Sequence, residues 1–212
     1  MTTATKTRIW QDNALVIDPR HLGITASGRE LEKLFVNFCN QNTQSIWQFE
    51  LSPDGEIIAM PPVHYPSDDQ EGETFGRLLF WTDDNGGQAR NSNSSFLMPN
   101  GGVLVPDASW TSQEKWDAHP HVPGDANPFC PDFVVEIRST SDNLAPLQAK
   151  MRLYLENGAL LGWLIDPANR QVYVYRAGQN EPERLDNPVT LSGEDVLTGF
   201  VFEVARWIFD RN

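Results

Sequence analysis

The stretch Pro131-Asp-Phe-Val-Val-Glu-Ile-Arg138 constrains this chain more than any other. It is a β-branched, almost unbroken apolar run, and apolarity on both faces predicts a central strand of a sheet covered on both sides. Side chains alternate along a strand, so Asp132, Val134, Glu136 and Arg138 fall on one face and Phe133, Val135 and Ile137 on the other. Glu136 is then a carboxylate in mid-strand. Burying it is costly unless a cation or a hydrogen-bond donor faces it, and that cost marks the position as a candidate site. The plain alternative is a strand-end glutamate paired with Arg138 or another basic residue.

The rest of the chain reads as short helices and strands. Ser27-Gly-Arg-Glu30 has the form of a capping box with Ser27 as N-cap, and Leu31, Leu34, Phe35 and Phe38 follow at helical spacing. Two antiparallel strands are expected over 45–51 and 56–60, about a Ser-Pro-Asp-Gly turn. The polar stretch 64–73 reads as a loop, and 73–82 as a second helix with Phe75, Leu78 and Leu79 inward. Phe96-Leu-Met-Pro99, the turn Asn100-Gly-Gly102 and Val103 to Trp110 predict strand, turn and strand, followed by a short helix over 111–116 and a long loop to Pro128. Pro146 suits the first turn of a helix ending near Asn157, with Gly158 as a left-handed stop and Leu147, Met151, Tyr154 and Leu155 as its inner stripe. Strands over 162–166 and 171–176 flank Pro167-Ala-Asn-Arg170, and the helix before Gly162 has the place of a crossover between parallel strands.

At 212 residues the chain has material for one sizeable core rather than two. A formal net charge of -13 argues against a surface that coats itself in nucleic acid by bulk attraction, so any phosphate chemistry has to be local. Bound metal ions reverse the field at an acidic site, which leaves a metal-dependent nuclease open. No stretch approaches the roughly 20 apolar residues of a membrane span, and residues 1–11 lack a secretion-signal pattern, so the cytoplasm is the expected location, without membrane contact. Cys39 and Cys130 are too few for a disulfide framework and are expected as free thiols.

Asp107 lies in Val103-Leu-Val-Pro-Asp-Ala-Ser-Trp110, a second apolar run with one carboxylate in its middle. Two such strands side by side converge two hard oxygen ligands, the kind of site Mg²⁺ takes with water and substrate phosphate. The ordinary reading of Asp107 is a turn residue after Pro106. Lys150 sits mid-helix beside Leu147 and Met151, from where its ammonium can snorkel toward the acids and polarise a water or stabilise charge on phosphate. A solvent-facing lysine is the commoner fate. His119-Pro-His121 with Cys130 carries zinc-type ligands but lacks a second cysteine pair, and no zinc is expected.

The ordered set of Pro106-Asp107, Pro131-Asp-Phe-Val-Val-Glu-Ile-Arg-Ser-Thr-Ser-Asp142, Lys150 with Tyr154-Leu-Glu-Asn-Gly158, Trp163-Leu-Ile-Asp-Pro167 and Val172-Tyr-Val-Tyr-Arg176 resembles the Uma2 family of the PD-(D/E)XK, restriction-endonuclease-like superfamily. The likeness reaches back to Phe49-Glu-Leu-Ser-Pro-Asp-Gly-Glu56 and forward to Leu191-Ser-Gly-Glu194. It delimits a domain over about 25–205, with an N-terminal arm before it (1–24) and a C-terminal tail after it (206–212).

The resemblance implies an α/β (α+β) restriction-endonuclease-like core, with a mixed central β-sheet flanked by α-helices. It implies metal-dependent endonuclease hydrolysis of nucleic acid, DNA rather than RNA, with Mg²⁺ or Mn²⁺. Asp107 and Glu136 match the acidic ligands. The superfamily's usual lysine position, two residues after the second acid, holds Arg138 here, and Lys150 matches a lysine migrated to the following helix. Arginine stays protonated and cannot act as a general base, but it can hold a phosphate, so Arg138 is expected at substrate. Glu73 matches the helical acid that completes the metal site, with a helix-start acid favoured by the macrodipole as its alternative.

The loops at His64 to Gln70 and His119 to Asn127 are expected to touch substrate, and a homodimer is expected. The rival is a catalytically silent nuclease-fold binding or assembly module, which would have Asp107 and Glu136 pointing apart and Lys150 in solvent. A small-molecule metallohydrolase would instead have a narrow, enclosed pocket. A glycosidase pair of Asp107 and Glu136 suits the lysine and the domain size poorly.

Overall fold

The computed structural model describes residues 13–211. In chain order these form β1 (Leu15–Ile17), a 3-10 turn (Pro19–Leu22), α1 (Arg29–Gln41), β2 (Gln48–Leu51), β3 (Ile57–Met60), α2 (Ser67–Asn85), β4 (Gln88–Asn91), β5 (Phe96–Leu97), β6 (Val103–Leu104) and β7 (Ala108–Thr111). They continue with α3 (Gln113–Asp117), β8 (Phe133–Ile137), α4 (Leu144–Glu156), β9 (Leu161–Asp166), β10 (Gln171–Arg176), β11 (Glu183–Asp186), β12 (Leu191–Ser192), β13 (Val201–Phe202) and a π-helical turn (Ala205–Phe209).

The central sheet runs β11-β10-β9-β8-β7-β4. It is mixed: β8 and β9 are parallel, joined by α4 as the crossover, while the other neighbours are antiparallel. Every residue of β8 is buried. Phe133, Val135 and Ile137 pack on one face with Leu78 of α2, Trp163 and Phe202, whereas Val134 packs on the other with Leu147, Met151 and Tyr154 of α4. The strict alternation expected from the sequence therefore holds, and each such side chain contributes about 1.5–3 kcal/mol by leaving water. Close approach of α4 depends on Gly162, where a Cβ would run into Met151 Cε and crowd Val134. Gly158, at φ 103°, turns the chain out of that helix as expected.

A second, antiparallel sheet runs β1-β3-β2-β6-β5, with α1 packed on it through Leu31 and Phe35 against Leu51 and Val103. The expected Val103 to Trp110 strand is thus two strands in two sheets, β6 in this one and β7 in the central one. Pro106 between them has no N–H for a ladder, and the break leaves Asp107 at the seam of the sheets rather than in mid-strand.

Two helices begin elsewhere than expected. α2 starts at Ser67, not Glu73, because its buried face is polar there: Thr74 Oγ1 donates to the Gln70 carbonyl at 2.8 Å and Gln70 Nε2 reaches the Ile208 carbonyl at 3.4 Å. No apolar period marks such a turn. The N-cap of α1 is Gly28 and makes no side-chain cap bond, so Ser27 does not form a capping box. Leu34 and Phe38 stay 48% and 39% exposed.

At the chain ends, β1 pairs with β3, so part of the expected arm belongs to the second sheet, while residues 1–12 lie outside the described residues. Ile208 and Phe209, in the expected tail, are buried in the core beside α2. Cys39 and Cys130 are free thiols. Among the described residues no helix is long and apolar enough to cross a membrane.

Candidate active site

Five elements bring ionisable side chains to one cavity of about 220 Å³. β8 delivers Glu136, α4 delivers Lys150, the seam between the sheets delivers Asp107, β2 delivers Glu50 and the first turns of α2 deliver Glu71. Glu136 can stay buried in an apolar strand because Lys150 Nζ lies 2.9 Å from its Oε1 and the Tyr154 hydroxyl donates to the same oxygen at 2.9 Å. Neither contact uses Oε2. Asp107 Oδ2 accepts the backbone N–H of Ile137 at 2.7 Å, which ties the seam to the end of β8.

Lys150 is held on three sides. Its ammonium reaches Glu136 Oε1 at 2.9 Å, Glu50 Oε1 at 2.9 Å and the Val105 carbonyl at 3.3 Å, matching the three donors it has. Glu50 Oε1 also accepts the Val105 N–H at 2.7 Å, so this one oxygen links β2, the seam and α4.

Among the described residues five carboxyl groups, those of Glu50, Glu71, Asp107, Glu136 and Asp142, line the cavity together with one ammonium, that of Lys150. Burial, the largest influence on each, pushes the Glu136 carboxyl up to about 8 and Glu71 up to about 7, and raises Asp107 well above the usual range. Lys150 counters the shift at all three, while the acids repel one another. The lysine itself is driven above its ordinary value by Glu136, Glu50 and Asp107, which outweigh its desolvation. It is a fixed positive charge.

Asp107, Glu136 and Lys150 therefore meet in one cavity, and two other expected residues do not. Glu73 points away from it: its carboxylate pairs with Arg77 at 3.1 Å and Arg211 at 3.0 Å. Two residues on a helix are about 200° of rotation, so Glu71 faces the cavity when Glu73 cannot. Arg138 also lies outside the cavity lining, with its guanidinium 2.8 Å from the fully buried Asp166 and bonded to the Asp142 carbonyl at 2.9 Å. Of the two loops, residues 64–67 line the cavity, while His121 in the other stacks on Trp116 at 3.8 Å.

Glu50 and Glu71 were not singled out from the sequence. Glu50 carries a faint signal, an acid between Phe49 and Leu51 in a short strand, and Glu71 carries none, because its helix turn has no apolar stripe.

Carboxylate oxygens are the donors that Mg²⁺ and Mn²⁺ take, and one or two of them suffice beside water and phosphate, so Asp107 and Glu136 fit such an ion in kind. Among the described residues no three His, Cys, Asp or Glu side chains are gathered tightly enough to hold a metal together. Lys150 supplies the positive charge between Glu50 and Glu136.

Over residues 33–205 the chain matches the family model of Uma2, described as "Putative restriction endonuclease". The crystal structure of "a putative nuclease belonging to DUF820" from Anabaena variabilis ATCC 29413 aligns with a TM-score of 0.64 at 22% identity, covering 76% of this chain and 89% of that one. At that identity the likeness shows the fold, a mixed central sheet with flanking helices. No curated protein matches in sequence. The family match takes in the whole central sheet, the second sheet apart from β1, and every cavity acid, and the chain belongs to the Uma2 family.

Proposed function

We propose that the protein is a metal-dependent endonuclease that hydrolyses phosphodiester bonds of nucleic acid, DNA before RNA. The observation that carries this reading is the meeting of Asp107, Glu136 and Lys150 in one cavity from the seam, β8 and α4. The family description supports the reaction class. The buried contact between Lys150 and Glu136 argues against a silent module, for which the lysine was expected in solvent.

Asp107 and Glu136 are the residues that would hold Mg²⁺ or Mn²⁺, an ion that in such a site neutralises phosphate charge and makes bound water a better nucleophile. Lys150 is kept protonated by its acidic neighbours, so it serves as a fixed charge toward a phosphate oxygen, not as a base. Its longest contact, 3.3 Å to the Val105 carbonyl, is the one a substrate oxygen replaces most easily. Glu71 takes the place first given to Glu73. A carboxyl raised to about 7 suits a group that accepts a proton from water near neutral pH. Arg138 is an internal anchor for Asp166 rather than a substrate contact.

Supercoiled plasmid incubated with Mg²⁺ or Mn²⁺ tests the assignment. Asp107→Ala, Glu136→Ala and Lys150→Ala are expected to abolish nicking, and Glu73→Ala to cut like the parent. Undiminished cutting by Asp107→Ala would overturn the reading.

A further inference from the structure

A groove of about 560 Å³ adjoins the acidic cavity, and Gln48 and Val105 line both. The wall between them is braced by Gln48, whose Nε2 donates to the Ser92 carbonyl at 2.7 Å. The two spaces differ sharply in charge. Glu50, Glu71, Asp107, Glu136 and Asp142 line the cavity, whereas the ionisable side chains along the groove are Asp125 and the Cys39 thiol. In a chain of net charge -13, this is a nearly neutral corridor leading away from an acidic centre.

Its chemistry is specific in what it offers and what it lacks. Trp47, just before β2, lines it and is 42% exposed. Thr43, Asn93 and Ser94 line it with neutral hydroxyl and amide groups. Among the described residues no Lys or Arg lines it. Duplex DNA is gripped largely through its phosphates by cations, which this groove does not have. An unpaired strand instead presents base faces that stack on aromatic rings and base edges that hydrogen-bond to amides and hydroxyls.

We propose that this groove receives an unpaired stretch of nucleic acid beside the cavity, stacking a base on Trp47 and meeting base edges with Thr43, Gln48, Asn93 and Ser94. This rests on the nuclease reading and narrows its substrate to a strand that is single or locally opened. Attraction there comes from bases rather than phosphates, so binding depends weakly on salt.

The test is fluorescence anisotropy of labelled oligothymidine, single-stranded and annealed to oligoadenosine, with the full chain in Ca²⁺. The single strand is expected to bind more tightly, with a log–log salt slope below about one in magnitude. Trp47→Ala is expected to weaken it on the order of tenfold at an unchanged melting temperature, and Trp47→Phe to keep most of the affinity. Equal affinity for duplex, no binding, or an unaltered Trp47→Ala variant overturns the proposal. So does a Trp47→Ala variant that has lost a dimer on sedimentation, since Trp47 would then serve a contact between copies. Cleavage in Mg²⁺ is scored separately: selective single-strand binding without any cleavage would reject the nuclease reading and leave the groove assigned.

Discussion

Lys150 Nζ stands 2.9 Å from Glu136 Oε1, and the two residues are only 5% and 3% exposed. Charges taken this far from water are tolerated because they meet each other, with Glu50 and Tyr154 completing the set. The pair joins α4 to β8 across the crossover, so the contact that organises the cavity also fastens the helix to the sheet.

Removing the ammonium leaves Glu50 and Glu136 facing each other without a cation. Lys150→Met is expected to lose about 3–5 kcal/mol at alkaline pH. The loss should shrink in mild acid, where the carboxyls can take up protons instead. Urea unfolding at the two pH values checks this, and a loss independent of pH would contradict it.

The metal-free protein should become less stable as pH rises from 4.5 to about 8. Glu71 and Glu136 ordinarily titrate at 4.5 and are raised to about 7 and about 8, so across that window the folded state binds more protons than the unfolded one. Stability then falls with pH. Lys150, raised above 10.5, keeps its contribution throughout the window. Thermal melts should trace the decline, Glu71→Gln should flatten part of it, and Mg²⁺ should raise the melting temperature more at the alkaline end.

Tyr154 donates its hydroxyl to Glu136 Oε1 at 2.9 Å, a bond that favours the ionised carboxyl. Tyr154→Phe is expected to cost about 1–2 kcal/mol and to move the ascending limb of the kcat/KM profile to higher pH. A displaced stability with an unmoved profile would mean that the hydroxyl serves packing alone.

Arg138→Ala should destabilise the fold by about 2–3 kcal/mol, because it takes the cation from the fully buried carboxylate of Asp166 and leaves it the Asn169 hydrogen bonds. Cleavage per folded molecule and affinity for DNA should be unchanged. A KM that rises without loss of stability would restore Arg138 to the substrate.

The acid of β8 and the aromatic residue of α4 were legible because their information is local. A five-residue strand buried on both faces has one periodicity, and a helix closed by Gly158 has one inner stripe, so the inward faces of Glu136 and Tyr154 follow from spacing, while Lys150 was singled out by the family resemblance. The parallel joining of β8 to β9 follows from the helix between them. The start of α2 was not legible, since Gln70 and Thr74 satisfy its buried face by hydrogen bonds and leave no apolar signal.

The sequence by itself determined the central strand, the crossover helix and the presence of Asp107, Glu136 and Lys150 on segments able to approach one another. Only the tertiary structure decided that Val103 to Trp110 divides between two sheets, that Glu71 rather than Glu73 faces the cavity, that Arg138 turns to Asp166, and that Glu50 enters from a distant hairpin. The reason is physical: periodicity sets which face a side chain occupies, whereas the partner of a buried charge is chosen by whichever surfaces long-range packing brings against that face.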